Sequence, residues 1–179
     1  MKQTNLIIDE KTKLDMQLEI KLEKQIKMIL AEQFIDKDVE LDKKKGIDFL
    51  IFNVNPFKVG VRLRRYEYYK NNEYRNQFTI RWTRPTGNET EIDKIRKGYV
   101  DYILYGFVDS SEENIIQYFI GNLEIFRKNE PNPIYTPTNH DKRKSQLAVY
   151  ALKQFPPNFI VSSENLDSDY NQKKLSEDT

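Results

Sequence analysis

Two segments between residues 58 and 84 alternate apolar and polar side chains, and this pattern constrains the fold more than any other feature. Successive side chains of a strand point to opposite faces, so a period of two predicts one strand in 58–69 and another in 76–84. Each strand has an apolar face and a face that carries arginine, namely Arg62 and Arg64 on the first and Arg81 on the second. Arg81 can lie alongside Arg62 and Arg64 if the register of the two strands allows it.

Other segments supply the elements around these strands. Apolar residues at helical spacing predict one long amphipathic helix over 10–34, and the apolar run 47–54 predicts a strand covered on both faces. Thr90 is predicted as the N-cap of a second helix that reaches about residue 105, with Gly106 as its C-cap. The run 114–120 predicts a further strand. The order α-β-β-β-α-β predicts an α+β fold with helices packed on a sheet.

Length and composition narrow the class of protein. The chain has 179 residues, which predicts a single domain over 1–161, followed by a polar, acidic and disordered tail over 162–179. It has no cysteine, which excludes disulfides and thiol nucleophiles and favours a reducing, cytoplasmic compartment. No apolar stretch reaches the roughly 20 residues that span a bilayer, so we expect no membrane partner. The single histidine, His140, argues against a histidine triad or a multi-histidine metal site.

Arginine is concentrated in one part of the chain. Six of the nine arginines lie between residues 62 and 84, with tyrosines interleaved. Guanidinium groups bind phosphate in a forked geometry and tyrosine rings stack on bases, so the cluster predicts a face that binds nucleic acid. The alternative is a polar outer face paired with aspartate and glutamate. The residues predicted to contact nucleic acid are Arg62, Arg64, Arg81, Tyr66, Lys43, Lys44 and Lys45.

Asp48 is a second candidate, because it is a carboxylate within the apolar run 47–54. Burying a carboxylate is costly unless it is paired or binds a cation. Asp48 is therefore either a metal ligand for phosphodiester hydrolysis or the partner of Arg62 or Arg64 in a structural salt bridge. The sequence leaves both interpretations open.

The element order, the residues Gly46-Ile47-Asp48 and the strand VGVRLRR resemble the PD-(D/E)XK nuclease superfamily over roughly residues 10–126. The resemblance implies a restriction-endonuclease-like core in which a glutamate of the first helix, an aspartate, and an acid-x-lysine strand build a metal site. It implies Asp48 and Glu19 as ligands of a possible Mg²⁺. The segment TEIDKIRKGYVDYILYG further resembles nuclease-fold proteins of phages and other mobile elements.

The chain departs from that motif at the acid-x-lysine strand. Arg62 stands where the second acid belongs and Arg64 where the lysine belongs. Arginine can stabilise a phosphate, but it cannot replace a carboxylate as a metal ligand. The implied metal site is therefore incomplete unless an acid of a helix joins it, from the set Glu19, Glu23, Glu91 and Asp101.

Three hypotheses of function follow. The first is a protein of nuclease-like fold that binds nucleic acid, DNA more than RNA, with weak or absent catalysis. The second is an Mg²⁺-dependent nuclease with a rearranged site, whose catalytic residues are Asp48, Glu19, Arg62 and Arg64. The third is a protein-interaction or inhibitor module of a mobile element, with which the many aromatic residues and the acidic tail are compatible.

Overall fold

The structure, a computed structural model, describes residues 10–32, 35–36, 50–51, 58–85, 87, 89–138 and 144–166. They form an α+β fold, as predicted, with a mixed four-stranded sheet flanked by helices. Within these residues the helices are α1 (Glu10–Lys21), α2 (Glu23–Glu32), α3 (Tyr66–Tyr69), α4 (Asn72–Arg75), α5 (Glu91–Arg96) and α6 (Leu123–Asn129). The strands are β1 (Ile35–Asp36), β2 (Leu50–Ile51), β3 (Val59–Arg64), β4 (Gln77–Thr83), β5 (Tyr102–Val108), β6 (Ile115–Asn122), β7 (Gln146–Ala151) and β8 (Ile160–Glu164).

The main sheet has the strand order β3-β5-β6-β8. In it β3 runs parallel to β5, and the other neighbours are antiparallel. β4 pairs with β7 in a separate two-stranded ribbon, so the arrangement in which Arg81 lies on a strand beside Arg62 and Arg64 does not occur. Arg62 lies opposite Tyr105 of β5, and Arg81 lies opposite Leu147 of β7. The alternation shows which side chains share a face of a strand, but it does not identify the partner strand.

Helices α1 and α2 cover one face of the main sheet. Their helical hydrogen bonding continues across the junction, where the Leu22 N–H donates to the Leu18 carbonyl oxygen at 3.1 Å. Leu18, Leu22 and Ile26 are buried, with Val61 and Leu63 of β3 packed against them. The predicted long helix is therefore present as two consecutive helices, and the apolar face of β3 lies beneath them.

The ribbon of β4 and β7 packs on the other face through aromatic rings. The Phe78 ring of β4 meets the Tyr105 ring edge-on, with centroids 5.6 Å apart, and the Phe119 ring at 5.9 Å. Residues opposite each other on paired strands project to the same face, so Arg62 shares this face with Tyr105. The arginine face of β3 therefore points toward the second layer of the fold.

The second helix starts where predicted and ends early. Thr90 caps α5, and its N–H donates to Asp93 Oδ2 at 2.8 Å in a capping box. The helix stops at Arg96, and Gly98 then turns the chain with a φ of +69°. The prediction of a helix to residue 105 is wrong.

Gly106, predicted as a C-cap, lies inside β5 instead. A Cβ atom there would come within 2.9 Å of the Gln117 carbonyl oxygen of β6. The residues from Ile103 to Val108 are all buried, which is typical of a central strand that is covered on both faces. This burial overrides the helical spacing of Tyr99, Tyr102 and Ile103.

Other elements also begin or end at residues different from those predicted. The strand predicted over 58–69 ends at Arg64, and the short helices α3 and α4 follow it. The strand predicted over 47–54 is described only at Leu50–Ile51, which pairs with β1; its other residues lie outside the described ones. The tail was predicted to begin at Ser162, but β8 continues to Glu164 and Leu166 is buried. Residues 167–179 lie outside the described residues.

Candidate functional site

Arg62 is held by a glutamate from α5. Its side chain is 16% exposed, and Nη1 donates to Glu91 Oε2 at 2.5 Å. The same carboxylate oxygen accepts the backbone N–H of Arg81 at 2.8 Å. Because Glu91 is the first residue of α5, the cap at Thr90 positions it against two strands at once. The charge of Arg62 is thus neutralised within the protein.

The electrostatics of this pair favour the charged forms. Burial lowers the pKa of the Arg62 guanidinium, but the charge and hydrogen bond of Glu91 together with Tyr105 and Asp15 outweigh burial and leave that pKa raised. Burial likewise raises the pKa of Glu91, and the charge of Arg62 with the Arg81 N–H bond outweighs it, so that pKa is lowered. Arg62 and Glu91 therefore form an ion pair at neutral pH.

Glu19 of α1 lies close enough to Arg62 and Glu91 to interact with both electrostatically. Burial and the neighbouring charge of Asp15 raise its pKa, and Arg62 acts in the opposite direction. Glu91 adds a smaller repulsion. Within the described residues, however, no three side chains of the metal-binding types come together in a group that could hold a metal ion. The other predicted ligand, Asp48, lies outside those residues, so the metal site remains a prediction.

Two further arginines are engaged by the protein. Arg65 forms a half-buried salt bridge with Glu112, in the turn before β6. Arg75 donates its Nε–H to the Tyr69 carbonyl oxygen at 2.8 Å, and its guanidinium lies 4.2 Å from the centroid of the Tyr69 ring. The Arg65 side chain thus joins the start of α3 to the turn before β6, and the Arg75 side chain joins α4 to α3.

Arg64 differs from these neighbours because its side chain forms no hydrogen bond to any residue that the structure describes. Its guanidinium carbon lies 3.8 Å from the centroid of the Tyr68 ring, and Arg64 forms no ion pair with any residue that the structure describes. Stacking on the ring leaves the edges of the guanidinium free to donate, since a cation–π contact uses only its flat face. Tyr68 also contacts Tyr74, with ring centroids 6.2 Å apart.

Arg64 lies at a pocket of about 280 Å³ between the main sheet and the ribbon. We call it the tyrosine pocket. Its floor consists of buried residues of β4, β5 and β7, and its rim consists of three exposed tyrosines and an exposed threonine. The floor includes Thr79, Tyr105, Phe107 and Val149, and the rim includes Tyr68, Tyr74, Tyr135 and Thr138.

Two hydrogen bonds hold polar side chains of the tyrosine pocket in place. The Thr79 and Tyr105 hydroxyls lie 3.1 Å apart and are bonded to each other. The Tyr135 hydroxyl donates to Gln77 Oε1 at 3.1 Å, which fixes the loop before β7 to β4. Arg64 is the one charged residue among those that line the pocket in the described part of the chain.

The predicted site residues therefore separate into groups. Arg62, Arg81 and Glu19 gather around Glu91, whereas Arg64 lies at the tyrosine pocket. Tyr66 stacks on Tyr69 at 5.9 Å and carries Lys70 above its ring. The run Lys43–Lys45 lies outside the described residues.

The sequence did not predict that Tyr105, at the floor, and Tyr135, on the loop before β7, line the tyrosine pocket. Tyr105 was assigned to a helix, and Tyr135 lies in a polar, proline-rich loop that carried no motif. The apolar and aromatic run of Tyr102–Val108 is the signal that could have placed Tyr105 on a central strand.

Comparisons with family models, with curated proteins and with solved structures give no match to this chain. In the described part of the chain, no helix combines the length and the apolar character needed to cross a bilayer. The chemistry of the site therefore has to be argued from its own residues.

Proposed function

We propose that the protein binds nucleic acid at the tyrosine pocket, with weak or absent catalysis, and that Arg64 contacts a phosphate. The observation that carries this proposal is that Arg64 stacks on Tyr68 and has no ion pair within the described residues. An arginine fork donates to phosphate oxygens in two parallel bonds, and exposed tyrosines offer faces on which bases stack. DNA is the favoured partner, and the absence of cysteine favours the cytoplasm as the compartment.

Catalysis is not expected to accompany binding, because of what Arg62 contacts. Arg62 stands at the position of the second acid of the nuclease motif, and its guanidinium is occupied by Glu91. It supplies neither a metal ligand nor a free charge for the phosphate. Arg62 is therefore proposed as a structural residue, and Arg64 as the phosphate contact.

Replacement of Arg64 tests the proposal. We expect Arg64→Gln to weaken binding of a labelled DNA oligonucleotide about tenfold at low salt and to reduce the slope of log affinity against log salt by about one. Fluorescence anisotropy at several salt concentrations measures both. Lys24→Gln, which removes one exposed charge from α2 across the main sheet, is the matched control. Equal affinities for Arg64→Gln, Lys24→Gln and the wild type would rule out the proposed contact.

A second candidate function is Mg²⁺-dependent cleavage of nucleic acid. The observation that favours it is the position of Glu19, which lies close enough to Glu91 and Arg62 to interact with both electrostatically. If Glu19 holds a metal, DNA or RNA incubated with Mg²⁺ or Mn²⁺ is cleaved, and Glu19→Gln abolishes the cleavage. A wild-type protein that leaves single-stranded, duplex and branched substrates intact removes this candidate and leaves the binding proposal standing.

A further inference from the structure

We propose that the tyrosine pocket holds one unstacked base of a single-stranded nucleic acid, with the adjacent phosphate at Arg64. The inference rests on the proposed function and specifies the form of nucleic acid that the site accepts. It implies a preference for single strands, ends or extruded nucleotides over an intact duplex. Three features of the pocket carry it, namely its size, its walls and its charge.

The size of the pocket suits one ring system. Its volume of about 280 Å³ is slightly below the roughly 300–1,000 Å³ of pockets for drug-sized ligands. A peptide helix is about 10–12 Å across and a duplex is wider still, so neither fits inside. A planar base that has left its stack is a group of suitable size, because its sugar and phosphate can remain at the rim.

The walls of the pocket suit a flat ring with polar edges. Tyr68, Tyr74 and Tyr135 are 37%, 36% and 44% exposed and surround the opening, so a base can stack on a tyrosine face as it enters. Phe107 and Val149 form a buried apolar floor. The bonded hydroxyls of Thr79 and Tyr105 lie at the same floor, where they can bond the edge of a base.

The charge of the pocket selects an anionic ligand. Arg64 is the one charged residue among the described lining, and no aspartate or glutamate lines the pocket there to repel a phosphate. Its contact with Tyr68 fixes the guanidinium beside the rim, 3.8 Å from the ring centroid. A base on the floor and a phosphate at the rim would belong to the same nucleotide, whose sugar joins them.

A substitution at the rim can block the pocket without removing a contact. Thr138 is exposed and lines the pocket, and Thr138→Trp would place an indole over the opening. Thr136→Trp is the matched control, since Thr136 is exposed on the same loop and does not line the pocket. If Thr138→Trp does not fold, as judged by thermal melting, Tyr74→Ala tests the same stacking, because Tyr74 is exposed and not needed for the core.

Anisotropy titrations with three probes test the inference: a labelled single-stranded decamer, a blunt duplex of the same sequence, and free nucleoside monophosphates as competitors. We expect the wild type to bind the single strand at least tenfold more tightly than the duplex. Thr138→Trp should weaken binding of the single strand about tenfold, as the loss of one stacked base does, and Thr136→Trp should not.

The outcomes separate this inference from the proposed function. If Thr138→Trp and Tyr74→Ala keep full affinity for the single strand while Arg64→Gln loses it, the pocket inference is overturned and nucleic-acid binding stands. If a free nucleoside monophosphate binds and the decamer does not, a nucleic-acid strand is ruled out as the occupant of the pocket. If the wild type binds none of the three probes, both proposals fail together.

Discussion

Glu91 is the residue on which the arginine face depends, although it lies 29 residues after Arg62 in the chain. Its carboxylate accepts from the Arg62 guanidinium and from the Arg81 backbone, so it connects β3 of the sheet with β4 of the ribbon. We expect Glu91→Gln to lower the free energy of unfolding by about 1–2 kcal/mol, less than for a fully buried pair because the Glu91 side chain is 41% exposed. Urea denaturation at pH 7 measures the loss.

The charge of Glu91 also gives this prediction a pH dependence. Burial raises its folded-state pKa, but the charge of Arg62, the hydrogen bond from the Arg81 N–H and the charges of Arg81 and Arg84 together outweigh burial and leave that pKa lowered. The stabilisation is therefore complete above the unfolded pKa and disappears as the pH falls through the folded pKa. The difference between wild type and Glu91→Gln should therefore shrink in acid. Glu89→Gln, which breaks the exposed pair with Lys97, is the control and should cost less than about 0.5 kcal/mol. Equal losses in the two variants would contradict the role given to Glu91.

At the scale of elements, the sequence correctly predicted the helices and strands whose formation depends on residues that are near one another in the chain. The helical spacing of residues 10–34 predicted the region of α1 and α2, and the run 114–120 predicted β6. Each of these segments buries one continuous set of apolar side chains, so its pattern is visible locally. β5 was mistaken for a helix, since Tyr99, Tyr102 and Ile103 also fit a helical spacing. Its burial on both faces depends on β3 and β6, which the local pattern does not contain.

The candidate site was predictable to a similar extent. Alternation placed Arg62 and Arg64 on one face of β3, and the structure confirms that alternation. Arg62 contacts a segment that is distant in sequence, because Glu91 of α5 reaches it. The Tyr68 ring beneath Arg64 lies only four residues further along the chain, but it belongs to α3, which the prediction of one strand over 58–69 did not contain.

At the scale of the whole molecule, the main sheet is covered on both faces, and this explains why the arginine cluster is mostly structural. A guanidinium between two layers must find a partner, since an unpaired buried charge is costly. Arg62 and Arg65 each have a glutamate. Arg64 lies where the ribbon leaves a pocket, and it has no carboxylate partner among the described residues.

The last strand belongs to this covered sheet, and its removal tests where the domain ends. β8 pairs with β6 through Ser162, Ser163 and Glu164, and Leu166 is 8% exposed within the aromatic core cluster. A chain that ends at Val161 loses these backbone bonds and a buried leucine. We expect it to lose about 2–5 kcal/mol of unfolding free energy, the range for deleting a large buried side chain, which urea denaturation measures.

A chain that ends at Leu166 is the control, because it keeps β8 and the buried leucine and lacks only residues 167–179. It should unfold at the same urea concentration as the full chain, since stability depends on the backbone pairs and apolar area that it retains. If the two shortened chains are equally stable, β8 contributes nothing and the domain ends at residue 161, as the sequence first suggested. If only the shorter one is destabilised, the polar residues Ser162–Glu164 are part of the sheet, because their backbone pairing outweighs their composition.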